Sequence, residues 1–297
     1  MKETQDHAPN IYQRCGSPEA SGDPRDQQAA ISSQLFRFGL KADSCKITRV
    51  LTQLRRATPR PLILACAIFL LAGLFVVRLP NVPGASIGSY ISTFLIALPS
   101  AIALFRYLGP RRATLSLLAL SLFAYAIESF GVATGVPYGR FYYGEALGPR
   151  LAGLVPFLLP LSYAPLVIGA VAAAWGGRSR LLHITQATLL LLWMDAVLDP
   201  GAASLGFWVW PEGGLYYGVP PSNYAGWLIS GAAATTLLLS TGRWSETPTP
   251  ALLDSATIAT SFWTGVAVFS GLAAPALLGA VLFVFLLLRR AHLHATK

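Results

Sequence analysis

The chain has 297 residues, 54% hydrophobic and 12% charged, with a formal net charge of +9. An ordinary soluble domain carries roughly 25% charged residues, and here the apolar residues gather into long runs, which excludes a conventional water-soluble fold. The basic excess flanks those runs instead of forming an aromatic-studded patch, so it argues for orientation in a lipid bilayer and against a nucleic-acid partner.

In chain order, residues 1–57 are polar, rich in Ser, Asp, Gln and Pro, and read as a mostly disordered tail. A basic surface helix over Ile31–Leu54 is compatible with that stretch, although its apolar spacing is irregular. Cys15 and Cys45 fall in the tail and Cys66 in the first apolar run, a spacing that suits neither a disulfide nor a metal site. The first apolar run begins at Pro61 without a small-residue cleavage site, so it reads as a retained span.

Apolar runs of membrane-crossing length fall at 61–77, 87–108, 113–134, 151–174, 181–199, 223–241, 252–270 and 273–288. They predict an all-α polytopic transmembrane bundle of about eight spans over residues 58–297. The last two touch across Gly271 and alternatively form one long helix with a short re-entrant piece. Charge supports eight. With the N-terminus cytoplasmic, one side holds Lys41, Lys46, Arg49, Arg55, Arg56, Arg60, Arg106, Arg111, Arg112, Arg178, Arg180, Arg243, Arg289, Arg290 and Lys297, and the other only Arg78, Arg140 and Arg150. The positive-inside bias places both termini in the cytoplasm.

Three acids interrupt the apolar runs. Asp195 and Asp199 are four residues apart, hence on one helix face and one turn apart. Pro200 disfavours helical geometry at Asp199 and marks the expected helix end. Glu128 lies near the same, non-cytoplasmic end of the third span. Ionisable groups in apolar runs cost a few kcal/mol on insertion scales and default to a functional hypothesis. The loops 135–150 and 200–222 on that side are rich in aromatics. Asp254, at the other end of the seventh span, reads as a helix-start charge.

Each feature has a plainer explanation. Aromatics at span ends commonly form an interfacial belt. Arg140 or Arg150 could neutralise an acid structurally. Pro156, Pro160 and Pro165 suggest that the fourth span is kinked and packed centrally, and Asn223 is an N-cap by position. A weak internal echo is also present. Glu128, Tyr142-Tyr143-Gly144 and Ala152-Gly153 recur as Asp199, Tyr216-Tyr217-Gly218 and Ala225-Gly226, suggesting that spans three and four repeat as five and six, with the site between the two hairpins.

The chemistry is narrowed by residue types. His7, His292 and His294 lie in the tails and His183 at an inner helix end, so no imidazole cluster suits diiron or haem, and no Gly-rich fingerprint suits a nucleotide. No cofactor is expected. What remains is a carboxyl kept protonated by burial and by a like charge one turn away. Such an acid can protonate an alkene, aromatic faces can stabilise the carbocation, and water can capture it.

The motifs Glu128-x-x-Gly131-x-x-x-Gly135-x-Pro137-Tyr138-Gly139-x-x-Tyr142-x-x-x-x-Leu147-Gly148, Asp195-x-x-x-Asp199-Pro200, Gly206-x-Trp208-x-Trp210 and Tyr217-Gly218-Val219-Pro220-x-x-Asn223-Tyr224-x-Gly226-Trp227 resemble the CruF-type carotenoid biosynthesis family of membrane hydratases. The likeness covers roughly residues 61–290. It implies addition of water across the terminal 1,2 (1',2') double bond of an acyclic carotenoid such as γ-carotene, lycopene or a C50 precursor. Glu128, Asp195 and Asp199 would be catalytic, and Tyr138, Tyr142, Tyr143, Trp208, Trp210, Tyr216, Tyr217, Asn223 and Trp227 would bind substrate. The partners implied are the polyene, water, the lipid bilayer of a prokaryotic plasma membrane and other carotenoid enzymes. A lycopene-cyclase-type isomerase, a UbiA-type prenyltransferase and a proton-coupled transporter are the competing readings.

Overall fold

Proline-opened and glycine-broken apolar runs dictate a bundle of helices. The computed structural model describes residues 52–79, 85–177, 179–242 and 244–296. The tail through residue 51, with Cys15, Cys45 and most of the segment Ile31–Leu54, lies outside the described residues. The helices are α1 (Arg60–Arg78), α2 (Ala85–Leu108), α3 (Pro110–Thr134), α4 (Leu159–Ala173), α5 (Arg180–Ser204), α6 (Pro221–Thr241), α7 (Asp254–Phe269) and α8 (Ala273–Ala295). Proline in the first turn of α1, α3, α4 and α6 costs no backbone bond, because that donor has no partner within the helix. Ser179 caps α5, its Oγ accepting from the Leu182 amide at 3.2 Å. Gly271, at φ +72°, breaks the chain between α7 and α8, so the last two apolar runs are two helices.

The helices α1, α2, α3, α5 and α8, and α7 together with the 3-10 turn Pro250–Leu253 that leads into it, are six segments long and apolar enough to cross a membrane. The surface is inverted relative to a soluble protein: Leu64, Phe75, Ile87, Leu122 and Leu181 are all more than half exposed, which suits hydrocarbon surroundings. The helix α4 has 15 residues, about 22 Å at 1.5 Å per residue. It lies at the centre, packed by α2, α3, α5 and α7 and buried almost throughout from Tyr163 to Ala173, as its prolines suggested.

Two expectations about helix limits are corrected. The fourth run, 151–174, is helical only from Leu159, because residues 150–156 form a small hairpin of β2 (Arg150–Leu151) and β3 (Val155–Pro156), following β1 (Tyr142–Tyr143). Ala152 and Gly153 turn that hairpin at positive φ and Pro156 sits in β3, so these residues do not continue a helix. Second, α5 runs past Pro200 to Ser204. Pro200, Gly201 and Ala202 are buried, Gly201 lying close to Trp263 and Val266 of α7, and this packing overrides the local preference of proline.

At the end of the bundle where α4 and α8 finish, two arginines are used structurally. Arg289 donates to the Ala173 and Trp175 carbonyls, each at 2.7 Å, satisfying acceptors at the end of α4. Arg290 Nε donates to Asp254 Oδ1 at 2.7 Å. Asp254 thus opens α7, as its position suggested, and also holds an ion pair.

Candidate active site

The three acids meet at the opposite end. Asp195 and Asp199 are stacked one turn apart on one face of α5 and buried. Asn223 reaches them from the first turn of α6. Its single Nδ2 donates to Asp195 Oδ2 at 3.0 Å and to Asp199 Oδ2. The N-cap of α6 is Pro220, so Asn223 is not a cap: its side chain turns inward to serve the two acids. Glu128, on α3, is buried on the same side of the bundle, tied to it through Tyr143.

The loops close over this centre by pairing. Tyr142 pairs with Val209 and Tyr143 with Trp208, joining β1 to β4 (Trp208–Val209). Alternation along β1 sends Tyr142 outward and Tyr143 inward. Tyr143 Oη donates to Glu128 Oε2 at 3.0 Å. Burial first, and then the Glu128 charge, hold the Tyr143 hydroxyl well above the ordinary phenol range, so it stays a donor.

Aromatic faces enclose the acids. Phe141 lies 6.1 Å from Tyr138, 5.5 Å from Tyr143 and 5.9 Å from Trp210, and Tyr143 lies 6.0 Å from Trp208. Tyr138 is clamped between α3 and α6 because Gly131 and Gly226 have no side chains. A Cβ on Gly131 would stand 2.7 Å from the ring at Cδ2, and one on Gly226 would overlap Cδ1. Trp210 Nε1 donates to the Tyr138 carbonyl at 3.2 Å. Trp227 stacks on Tyr163 with centroids 5.6 Å apart and an interplanar angle of 24°.

Of the sequence-predicted residues, the structure therefore gathers Glu128, Asp195, Asp199, Tyr138, Tyr143, Trp208, Trp210, Asn223 and Trp227. Tyr216 reaches the rim, 6.0 Å from Tyr224. Tyr142 and Tyr217 are not brought in: Tyr142 is 50% exposed, and the Tyr217 hydroxyl accepts from the Ala274 amide at the start of α8. Arg150 does not neutralise a buried acid, since it pairs with exposed Glu145 at 2.9 Å. Among the described residues the three acids have no basic partner in an ion pair. The internal echo fails structurally, because Ala152-Gly153 lies in the β2–β3 turn while Ala225-Gly226 lies within α6.

Tyr163, Ser230 and Trp263 join the surroundings without having been singled out. Asn223, Trp227 and Ser230 are spaced by four and three residues, one stripe of α6, and that period was the available signal. Among the described residues no group of three or more His, Cys, Asp and Glu side chains is placed to hold a metal ion. Cavities of about 450 and 520 Å³ lie at the opposite end, the first beside His183. Sixteen residues along α5 separate His183 from Asp199, about 24 Å, so the first cavity does not adjoin the acids.

The family described as carotenoid biosynthesis protein matches residues 67–286, about three quarters of the chain. A protein named bisanhydrobacterioruberin hydratase, from Haloarcula japonica, is 50% identical over 153 residues, which cover 49% of this chain and 50% of the relative. The match thus spans half the length of that curated relative. No solved structure matches the chain.

Proposed function

Because the chain belongs to the carotenoid biosynthesis protein family, we propose that it is a carotenoid hydratase, adding water across the terminal 1,2 double bond of an acyclic end group to give a tertiary 1-hydroxyl. The observation that carries this is the Asp195–Asn223–Asp199 bridge: two buried carboxyls one helical turn apart, sharing one amide and, among the described residues, in no ion pair. The half-length similarity to a hydratase supports the same chemistry.

In this mechanism a proton shared by the aspartate pair relieves their like-charge repulsion and passes to C-2. The O–H bond breaks, a C–H bond forms, and the positive charge rests on tertiary C-1. Faces of Trp208, Tyr143 and Phe141 stabilise such a cation by roughly 0.5–2 kcal/mol each when dry. Water attacks C-1 and yields its proton to Glu128, which Tyr143 orients. Glu128 then releases that proton to solvent and the aspartate pair takes one up, which restores both groups. The net change is the addition of one water.

Eight crossings, with α4 as a short central one, both termini cytoplasmic and the acids at the outer face of a prokaryotic plasma membrane, complete the proposal. Residues 58–297 are its catalytic domain and residues 1–57 a tail. The substrate is γ-carotene, lycopene or a C50 precursor, delivered from the bilayer or by other carotenoid enzymes. Expression in cells that accumulate these pigments tests it. A hydroxylated pigment heavier by one water supports hydration, and a new ring at unchanged mass overturns it in favour of cyclisation.

A further inference from the structure

Three buried hydroxyls beside the acids have no assigned task. Tyr138 (1% exposed), Tyr163 (3%) and Ser230 (1%) come from a loop, α4 and α6. Among the described residues, none of the three hydroxyl oxygens has a hydrogen-bond partner of good geometry. Their convergence is built by packing. Gly226 presses on the Tyr138 ring, Trp227 stacks on Tyr163, and Ser230 lies one turn further along α6. Tyr138 lies 6.1 Å from Phe141, and Phe141 lies 5.5 Å from Tyr143, the donor to Glu128, while Ser230 lies near both tyrosine hydroxyls. Orphaned polar groups at full burial are uncommon and costly. A water needs two to four polar partners, and three hydroxyls beside a carboxylate supply them.

We infer that Ser230, Tyr138 and Tyr163 form the seat of the attacking water, holding it against Glu128 so that its oxygen meets C-1 of the cation. This rests on the hydratase reading. In the step, a water lone pair forms the C-1–O bond and a water O–H bond breaks toward the Glu128 carboxylate. Ser230 acts here on water, while protonation at C-2 belongs to the aspartate pair. Losing the seat should leave the cation forming but uncaptured. It then sheds a proton, from C-2 or a neighbouring methyl, and returns to alkene.

That partition is measurable in D2O. Membranes holding the full chain are incubated with an acyclic carotenoid, and both the hydroxylated product and the deuterium in recovered substrate are quantified by mass spectrometry. For Ser230→Ala, one lost hydrogen bond to water predicts about a tenfold fall in hydroxylation, with deuterium exchange retained. Ser230→Thr, which keeps the hydroxyl, should recover hydroxylation. Tyr163→Phe supplies a second variant should Ser230→Ala not accumulate. Hydroxylation at the wild-type rate in both hydroxyl-deleted variants overturns the proposal. So does a parallel loss of hydroxylation and exchange, which marks a merely structural role. A wild-type chain giving no hydroxylated product overturns the hydratase reading itself, and this proposal with it.

Discussion

Asn223 offers the sharpest test of the aspartate pair. One amide nitrogen supplies both hydrogens, one to Asp195 and one to Asp199, so Asn223→Ala removes two bonds at once. Hydrogen bonds to charged groups contribute roughly 1.5–3 kcal/mol each, which sets an upper bound of about 3–6 kcal/mol for the two. The carboxyls can bond each other once the amide is gone, which recovers part of it. A transition-state loss of about 2–4 kcal/mol remains, a fall of roughly 30- to 1000-fold in hydroxylated carotenoid formed per enzyme. Asn223→Asp keeps the volume but replaces the donor with a third acid, so it should be no better than Ala. The assay is pigment mass analysis on membranes, with detergent gel filtration to confirm that the variant remains folded. Wild-type turnover in Asn223→Asp would show that the bridging amide does nothing for the chemistry.

Three further outcomes are expected. Asp199→Asn should abolish hydration while the protein remains folded, and a normal yield of hydroxycarotenoid from it removes Asp199 from the mechanism. Tyr143→Phe deletes the 3.0 Å bond to Glu128 and should slow hydration about tenfold or more, with the β1–β4 pairing left to hold the loop; an unchanged rate denies Glu128 a role that needs orienting. Arg290→Met strands half-buried Asp254 beside α8 and should destabilise the fold by up to about 3 kcal/mol, read as a lower thermal midpoint in detergent, whereas the double change with Asp254→Leu should recover most of that loss.

Much of the helical framework was legible because apolar runs and prolines act locally. The limits expected for seven of the eight runs lie within a few residues of the observed helices at their starts. The failures share one cause. Pro200 has a local preference against helix that burial of Pro200–Ala202 against α7 outweighs, and no local pattern records α7. The opening of the fourth run looked apolar enough for a helix, yet Ala152 and Gly153 were needed for a turn. At the site, acids in greasy surroundings announced themselves individually. Their meeting depends on contacts far apart in sequence: Tyr143 is placed by pairing with Trp208, and Asn223 reaches back 24 and 28 residues to the aspartates. Asn223 stands at a position that suits a cap, and it serves a different purpose because α6 begins at Pro221, three residues earlier than a cap at Asn223 would set it.

The two ends of the bundle treat their carboxyl groups in different ways, and the contrast bears on function. Asp254 is matched by Arg290 at 2.7 Å, an arrangement that suits a group whose task is to hold α7 against α8. Glu128, Asp195 and Asp199 are instead surrounded by a phenol, an amide and aromatic rings. A guanidinium fixes a carboxylate in its charged form and would disable it as an acid, whereas neutral donors permit either form. A bundle selected only for stability would have paired these acids as it paired Asp254, or replaced them with leucine. Keeping three of them unmatched, under a lid made by two loops that must find each other, is costly to a fold and useful to a reaction that gives a proton away and takes one back.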